Sequence, residues 1–114
     1  MPHVIIEMPK KLLNQPNDLL KYINQILIDT GHFKAVDIKT RIIPVEDYLI
    51  GTGVECQDFI AVKLLIMQGR SLEVRQSFAD VLLNGLKQHF VNYPAMQCTV
   101  EVLELSQVYA KTTI

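Results

Sequence analysis

Four side chains have the types and placement for proton chemistry on an anionic substrate: Pro2, Lys39, Arg41 and Arg70. Pro2 stands directly ahead of a β-branched run, so removal of Met1 would leave a secondary amine locked in a ring at the head of a strand. Burial and neighbouring cations both disfavour a protonated amine and lower its basicity. An amine tuned toward neutrality can take a proton and return it to carbon at physiological pH. Met-Pro alone is unspecific, since proline at about 5% of residues puts it at the head of roughly one chain in twenty. The cations add the second half of the pattern. Lys39 and Arg41 are two apart in an extended run, hence on one face and roughly 7 Å from each other. Arg70 lies in a turn just before a helix start, a position suited to holding an anion. Without Pro2, the Lys39 and Arg41 pair reads as solvated or salt-bridged strand residues. With it, the set describes a site for a carboxylate-bearing substrate whose enolate needs stabilising.

Other chemistries find less support. His3, His32 and His89 occur singly, with no ligand spacing to one another or to a cysteine, and read as surface or hydrogen-bonded histidines. No nucleophile elbow, P-loop or dinucleotide fingerprint occurs; Gly51-Thr52-Gly53 is only a flexible loop. Cys98 reads as a buried strand residue and Cys56 as a loop thiol, neither of them a nucleophile. No metal or cofactor is expected.

The elements that must position these residues follow from periodicity. His3 to Met8 is a strand between prolines. Pro16-Asn17 reads as a turn leading into an N-cap, followed by a helix from Leu19 to about Thr30 that Gly31 stops. Val36 to Val45 alternates and reads as a second strand, with Pro44 ending it or confining it to an edge. Glu46 to Asp58 is a connecting loop, and Phe59 to Met67 the strongest strand. Ser71 caps a second helix running to about Phe90, with Ala79, Leu82, Leu83, Leu86 and Phe90 on its apolar side. Gly85 inside that helix costs about 1 kcal/mol against Ala and has no local explanation. Gln97 to Leu105 is the fourth strand, and Ser106 to Ile114 a loosely structured tail.

The order is β-α-β, a loop, then β-α-β. This predicts an α+β fold in which two β-α-β units form a four-stranded sheet with two helices on one face. Val36, Ile38 and Ile42, Val4, Ile6 and Met8, Ile60 to Ile66 in alternation, and Val100 with Val102 supply the apolar layer under the helices. The opposite face mixes Ile5, Leu65 and Leu103 with Glu7, Lys39, Arg41, Lys63 and Glu101. Such a face suits either packing against other subunits around partly wet space or an open, solvated sheet.

The 114 residues fit a single domain, 1–114, and 49% hydrophobic against 20% charged residues excludes a disordered or low-complexity chain. The formal charge of −1 argues against a nucleic-acid surface. The longest apolar run, Phe59 to Met67, is interrupted by Lys63 and is far short of the ~20 residues a membrane helix needs. The amino-terminal segment lacks the order of a secretory signal. With only 2 cysteines and no C-x-x-C pair, the expectation is a reduced, cytoplasmic protein.

The opening MPHVIIE, the segment TGHFKAVDIKTR (Thr30 to Arg41), the run GRSLEVRQ (Gly69 to Gln76) and the late strand VEVLEL together resemble the 5-carboxymethyl-2-hydroxymuconate Δ-isomerase family of the tautomerase superfamily. The resemblance implies a homotrimer with sheets facing inward and a cofactor-independent isomerase of aromatic catabolism, in homoprotocatechuate degradation. It further implies that an amino-terminal proline, Pro2, moves a proton along a conjugated 2-hydroxy-dienoate while cations hold the carboxylates of a small-molecule substrate. Arg70 matches the arginine of the G-R-S-L-E motif and Arg41 the second arginine of the family's I-R-x-R segment. Lys39 stands where the family has arginine, replacing a planar fork by a point charge on a flexible stem. A different diacid, or a phenylpyruvate-like enol, is therefore an open alternative, as is a non-catalytic oligomeric binding module of the same fold.

Overall fold

A computed structural model describes residues 1–54 and 58–114; Cys56 lies outside the described residues. Four strands, β1 (His3–Pro9), β2 (Lys39–Val45), β3 (Asp58–Ile66) and β4 (Met96–Glu104), and two helices, α1 (Pro16–Asp29) and α2 (Leu72–His89), make up the fold. The strands form one sheet in the order β2-β1-β3-β4. β1 with β2 and β3 with β4 are parallel, and β1 with β3 antiparallel. The sheet is thus two β-α-β units joined along their first strands, a mixed α+β architecture.

Side-chain alternation builds the core. Val4, Ile6 and Met8 of β1 and Ile60, Val62, Leu64 and Ile66 of β3 are buried together with Leu19, Ile23 and Leu27 of α1 and Phe78, Leu82 and Leu86 of α2. Both helices therefore cover the same sheet face. Each fully buried aliphatic side chain contributes about 1.5–3 kcal/mol relative to exposure. Phe78 joins the buried side of α2, whereas Leu83, expected on that side, is 42% exposed.

Helix boundaries follow their caps. α1 begins at Pro16, three residues ahead of the expected Leu19, with Gln15 before it in the left-handed region at φ 52°. Proline at a first helical position has φ preset and loses no hydrogen bond, which favours this earlier start. Gly31 ends the helix at φ +79°, its N–H reaching the Ile28 carbonyl at 3.0 Å. Ser71 caps α2 by accepting the Val74 N–H at 3.2 Å. Gly85 now has a tertiary explanation. A Cβ there would collide with Ile26 Cδ1 of α1, and Tyr22 donates its hydroxyl to the Gly85 carbonyl at 3.0 Å.

β2 corrects another expectation. It starts at Lys39, not Val36; Ala35–Asp37 form a 3-10 turn that leaves Val36 86% exposed and outside the apolar layer, and Asp37 off the strand. The reason is the extent of β1. The Lys39 N–H pairs with the Pro2 carbonyl at 3.1 Å, so no β1 partner exists for the residues ahead of it, and the Ile38 N–H closes back on Ala35 at 3.2 Å. Pro44 stays within β2 because β2 is an edge strand.

No helix among the described residues is long and apolar enough to cross a membrane.

Candidate active site

Pro2 is buried at the head of β1, and its carbonyl accepts the first β2 N–H, from Lys39. This one bond ties the amino terminus to the strand that carries Lys39 and Arg41. Lys39 turns its ammonium toward the 3-10 turn, donating Nζ to the Asp37 carbonyl at 2.5 Å. Asp37 in turn forms a 2.9 Å ion pair with Lys111 of the tail.

Arg70 comes to the same end of the sheet from the turn between β3 and α2. Its guanidinium carbon lies 4.9 Å from the Phe33 ring centroid and 5.6 Å from that of Phe78. Its Nη2 donates to the His32 carbonyl at 3.4 Å. Two aromatic faces and a carbonyl thus fix the plane of the guanidinium while leaving other N–H groups to bind an anion.

The amino terminus feels all of these groups. Burial holds the Met1 amine below its ordinary basicity, Asp37 opposes this, and Lys39, Lys111 and Arg70 reinforce it. With Met1 attached, the Pro2 nitrogen is an amide without a basic lone pair. A basic nitrogen at position 2 requires removal of Met1.

Arg41 is placed differently. It pairs in register with Ile5 rather than with the head of β1, and its Nη1 lies 3.3 Å from His3 Nδ1. A guanidinium has donors only, so Nδ1 must accept and the imidazole proton sits on Nε2. That nitrogen donates to the Tyr109 hydroxyl at 2.8 Å, with the rings edge-on and 6.0 Å apart. His3 is held in its neutral form by burial, and by the positive charge of Lys39, Arg41 and the amino terminus. The structure therefore gathers Pro2, Lys39 and Arg70 around the amino terminus and sets Arg41 one step along the open face, on His3.

Three participants escaped sequence reasoning. Asp37 and Lys111 meet across 74 residues, and no local pattern announces such a pair. His3 carries a partial signal, being the residue after Pro2 and on the face of Lys39 and Arg41. The tail has no helix or strand, yet it is anchored. The Leu105 N–H meets the Ile66 carbonyl at 2.7 Å, Gln68 Nε2 donates to the Leu105 carbonyl at 3.1 Å, and Tyr109 and Lys111 hold it further on.

A cavity of 390 Å³ lined by Tyr48, Leu49, Phe59 and Thr99, among others, lies at the far end of β3. His3 pairs with Leu65 at the other end of that strand, so this cavity is separate from the Pro2 cluster. Among the described residues, no group of three or more His, Cys, Asp or Glu side chains gathers as metal ligands do.

Comparison with known proteins now bears on this arrangement. Residues 2–114 match the family described as CHMI, 5-carboxymethyl-2-hydroxymuconate isomerase. A 5-carboxymethyl-2-hydroxymuconate Delta-isomerase of Escherichia coli is 30% identical over 92 residues, covering 79% of this chain and 73% of the relative. A 5-carboxymethyl-2-hydroxymuconate isomerase from Deinococcus radiodurans R1 superposes with a TM-score of 0.85 at 25% identity, over 98% of this chain and 90% of that one. A fused 4-OT wild-type symmetric trimer superposes with a TM-score of 0.77 at 11% identity, over 97% of this chain and 93% of that one, and shares the fold alone. With a family match over nearly its whole length, the chain belongs to the 5-carboxymethyl-2-hydroxymuconate isomerase family and is an isomerase of the tautomerase superfamily.

Proposed function

We propose that the chain, once Met1 is removed, moves a proton along a conjugated 2-hydroxy-dienoate bearing two or three carboxylates, of the 5-carboxymethyl-2-hydroxymuconate type. The Pro2 amine takes the proton of the 2-hydroxyl. The O–H electron pair becomes the C2=O bond, the C2=C3 pair moves to C3=C4, and the C4=C5 pair takes the proton back from Pro2 at C5. The product is the 2-oxo-3-enoate. Pro2 is both base and acid, which requires an amine whose two protonation states are close in energy at working pH. Arg70, Lys39 and Arg41 bind carboxylates and offset the negative charge that builds on the dienolate.

One observation carries this reading: a buried Pro2 directly behind a Met1 amine whose basicity is lowered by burial, with Lys39, Lys111 and Arg70 acting on the same end of the chain. The test is a spectroscopic assay of dienol-to-enone conversion on processed protein, with Pro2→Ala and Arg70→Ala. Both substitutions are expected to lower kcat/KM by at least tenfold, and full activity in Pro2→Ala defeats the assignment.

The same chain is proposed to act as a homotrimer. Ile5, Leu65 and Leu103 are only partly covered on the open sheet face, where a neighbouring subunit would shelter them. Light scattering of the purified protein checks this, and a monomer contradicts it.

A second substrate reading rests on Lys39. Its ammonium already serves the Asp37 carbonyl and offers a flexible point charge in place of a fork. That favours another 2-hydroxy-dienoate, or a phenylpyruvate-like enol, with fewer carboxylates to orient. Lys39→Arg is expected to shift preference toward the carboxymethyl substrate, and an unchanged preference rejects this second reading.

A further inference from the structure

We propose that Lys111, carried by the C-terminal tail, is a positioning residue that neutralises Asp37 beside the amino terminus and so keeps the reacting amine in a wholly cationic setting. The inference rests on the reading of Pro2 as the base.

The groups facing the amino terminus come from every neighbouring segment. Asp37 comes from the 3-10 turn, Lys39 from β2, Arg70 from the turn before α2, Lys111 from the tail and His3 from β1 itself. Asp37 is the carboxylate in this set. Left alone, it would favour the protonated amine and repel an incoming substrate carboxylate. Lys111 Nζ sits 2.9 Å from Asp37 Oδ1, with the two side chains 33% and 28% exposed. A pair this sheltered is screened less than one on open surface. The hydrogen bond from Lys111 also holds the Asp37 carboxyl below the usual carboxylate range, so this carboxylate stays ionised through neutral pH.

Chain geometry makes this more than a chance contact. The tail is fixed at its start by the Leu105 and Ile66 backbone bond and by Gln68, and two residues before Lys111 by the Tyr109 bond to His3. Lys111 is therefore delivered to Asp37 from an anchored segment and loses less freedom in pairing than a lysine on a free end would. Asp37 is equally fixed, since its carbonyl accepts from Lys39 and its N–H meets the Lys34 carbonyl at 3.0 Å.

The experiment is the pH dependence of kcat/KM for processed wild type, Lys111→Met, Asp37→Asn, the double variant, Lys111→Arg and Pro2→Ala. Lys111→Met should move the acid limb to higher pH and lower the rate below that limb about three- to tenfold, the size expected from one partly screened charge. Asp37→Asn in the same chain should move the limb back, and Lys111→Arg should leave it at the wild-type position. A purely structural role for Lys111 would lower activity at all pH values without moving the limb. An unmoved limb in Lys111→Met, with Pro2→Ala inactive, overturns this inference and leaves the base assignment standing. Activity surviving in Pro2→Ala overturns both.

Discussion

Arg70→Lys separates a guanidinium held in a plane from a mere positive charge. In the folded chain the Arg70 guanidinium lies over two rings, 4.9 Å from Phe33 and 5.6 Å from Phe78, and donates to the His32 carbonyl at 3.4 Å. Lysine keeps the charge but loses the flat group that stacks and the fork that meets a carboxylate with two parallel bonds. Losing the stacking at a half-exposed site costs about 0.5–1 kcal/mol, which lowers Tm by roughly 3–5 °C in a domain of this size. Losing one charge-assisted hydrogen bond to a substrate carboxylate costs about 1.5–3 kcal/mol, or roughly 10- to 150-fold in kcat/KM. Because the carboxylate is bound alike before and during proton transfer, most of that loss should appear in KM. Steady-state assay of dienol conversion and a thermal melt on the same preparation read both quantities. Wild-type kcat/KM in Arg70→Lys would refute the reasoning, since charge alone would then suffice.

Other perturbations test other parts of the fold. Gly85→Ala gains about 1 kcal/mol of helix propensity and loses about 1–3 kcal/mol by pressing on Ile26 Cδ1; the net is a loss that Ile26→Val should recover in urea unfolding. A stabilised Gly85→Ala single variant would contradict the close helix approach. His3 is less basic folded than its ordinary 6.5, so the unfolded chain binds more protons there and stability should fall as pH drops through that value. His3→Gln should flatten the unfolding free energy across this window, and an unchanged slope would show that another group is responsible. Tyr109→Phe removes the hydroxyl that accepts from His3 Nε2 and should speed amide exchange along the tail, with little change in the protection of β1 and β3.

How far the fold can be read in the residues depends on whether the determinant is local. β1 and β3 alternate apolar and mixed residues, and the buried set Val4, Ile6, Met8, Ile60, Val62, Leu64 and Ile66 follows directly from that period. The α2 start was legible because Ser71 is a good cap by its own chemistry. The start of β2 was not. Val36-Asp37-Ile38 alternates as well as any strand, but pairing begins only where β1 offers a partner, at Pro2. Gly85 was visible as an anomaly, though its cause, Ile26, lies on another helix. In the candidate site, Pro2, Lys39 and Arg70 were nameable because charge and ring chemistry are properties of single residues. Their electrostatic setting was hidden, because Asp37, Lys111 and Tyr109 reach it only through tertiary contact.

The central claim concerns the nitrogen of residue 2, and a titration of that atom tests it most directly. Nitrogen-15 NMR of processed protein, labelled at proline, should follow the Pro2 amine deprotonating below the ordinary value for a solvent-exposed amino-terminal proline, as burial already lowers the Met1 amine at this end of the chain. The acid limb of kcat/KM should coincide with it. An amine that titrates at or above that ordinary value, away from the limb, would contradict the account.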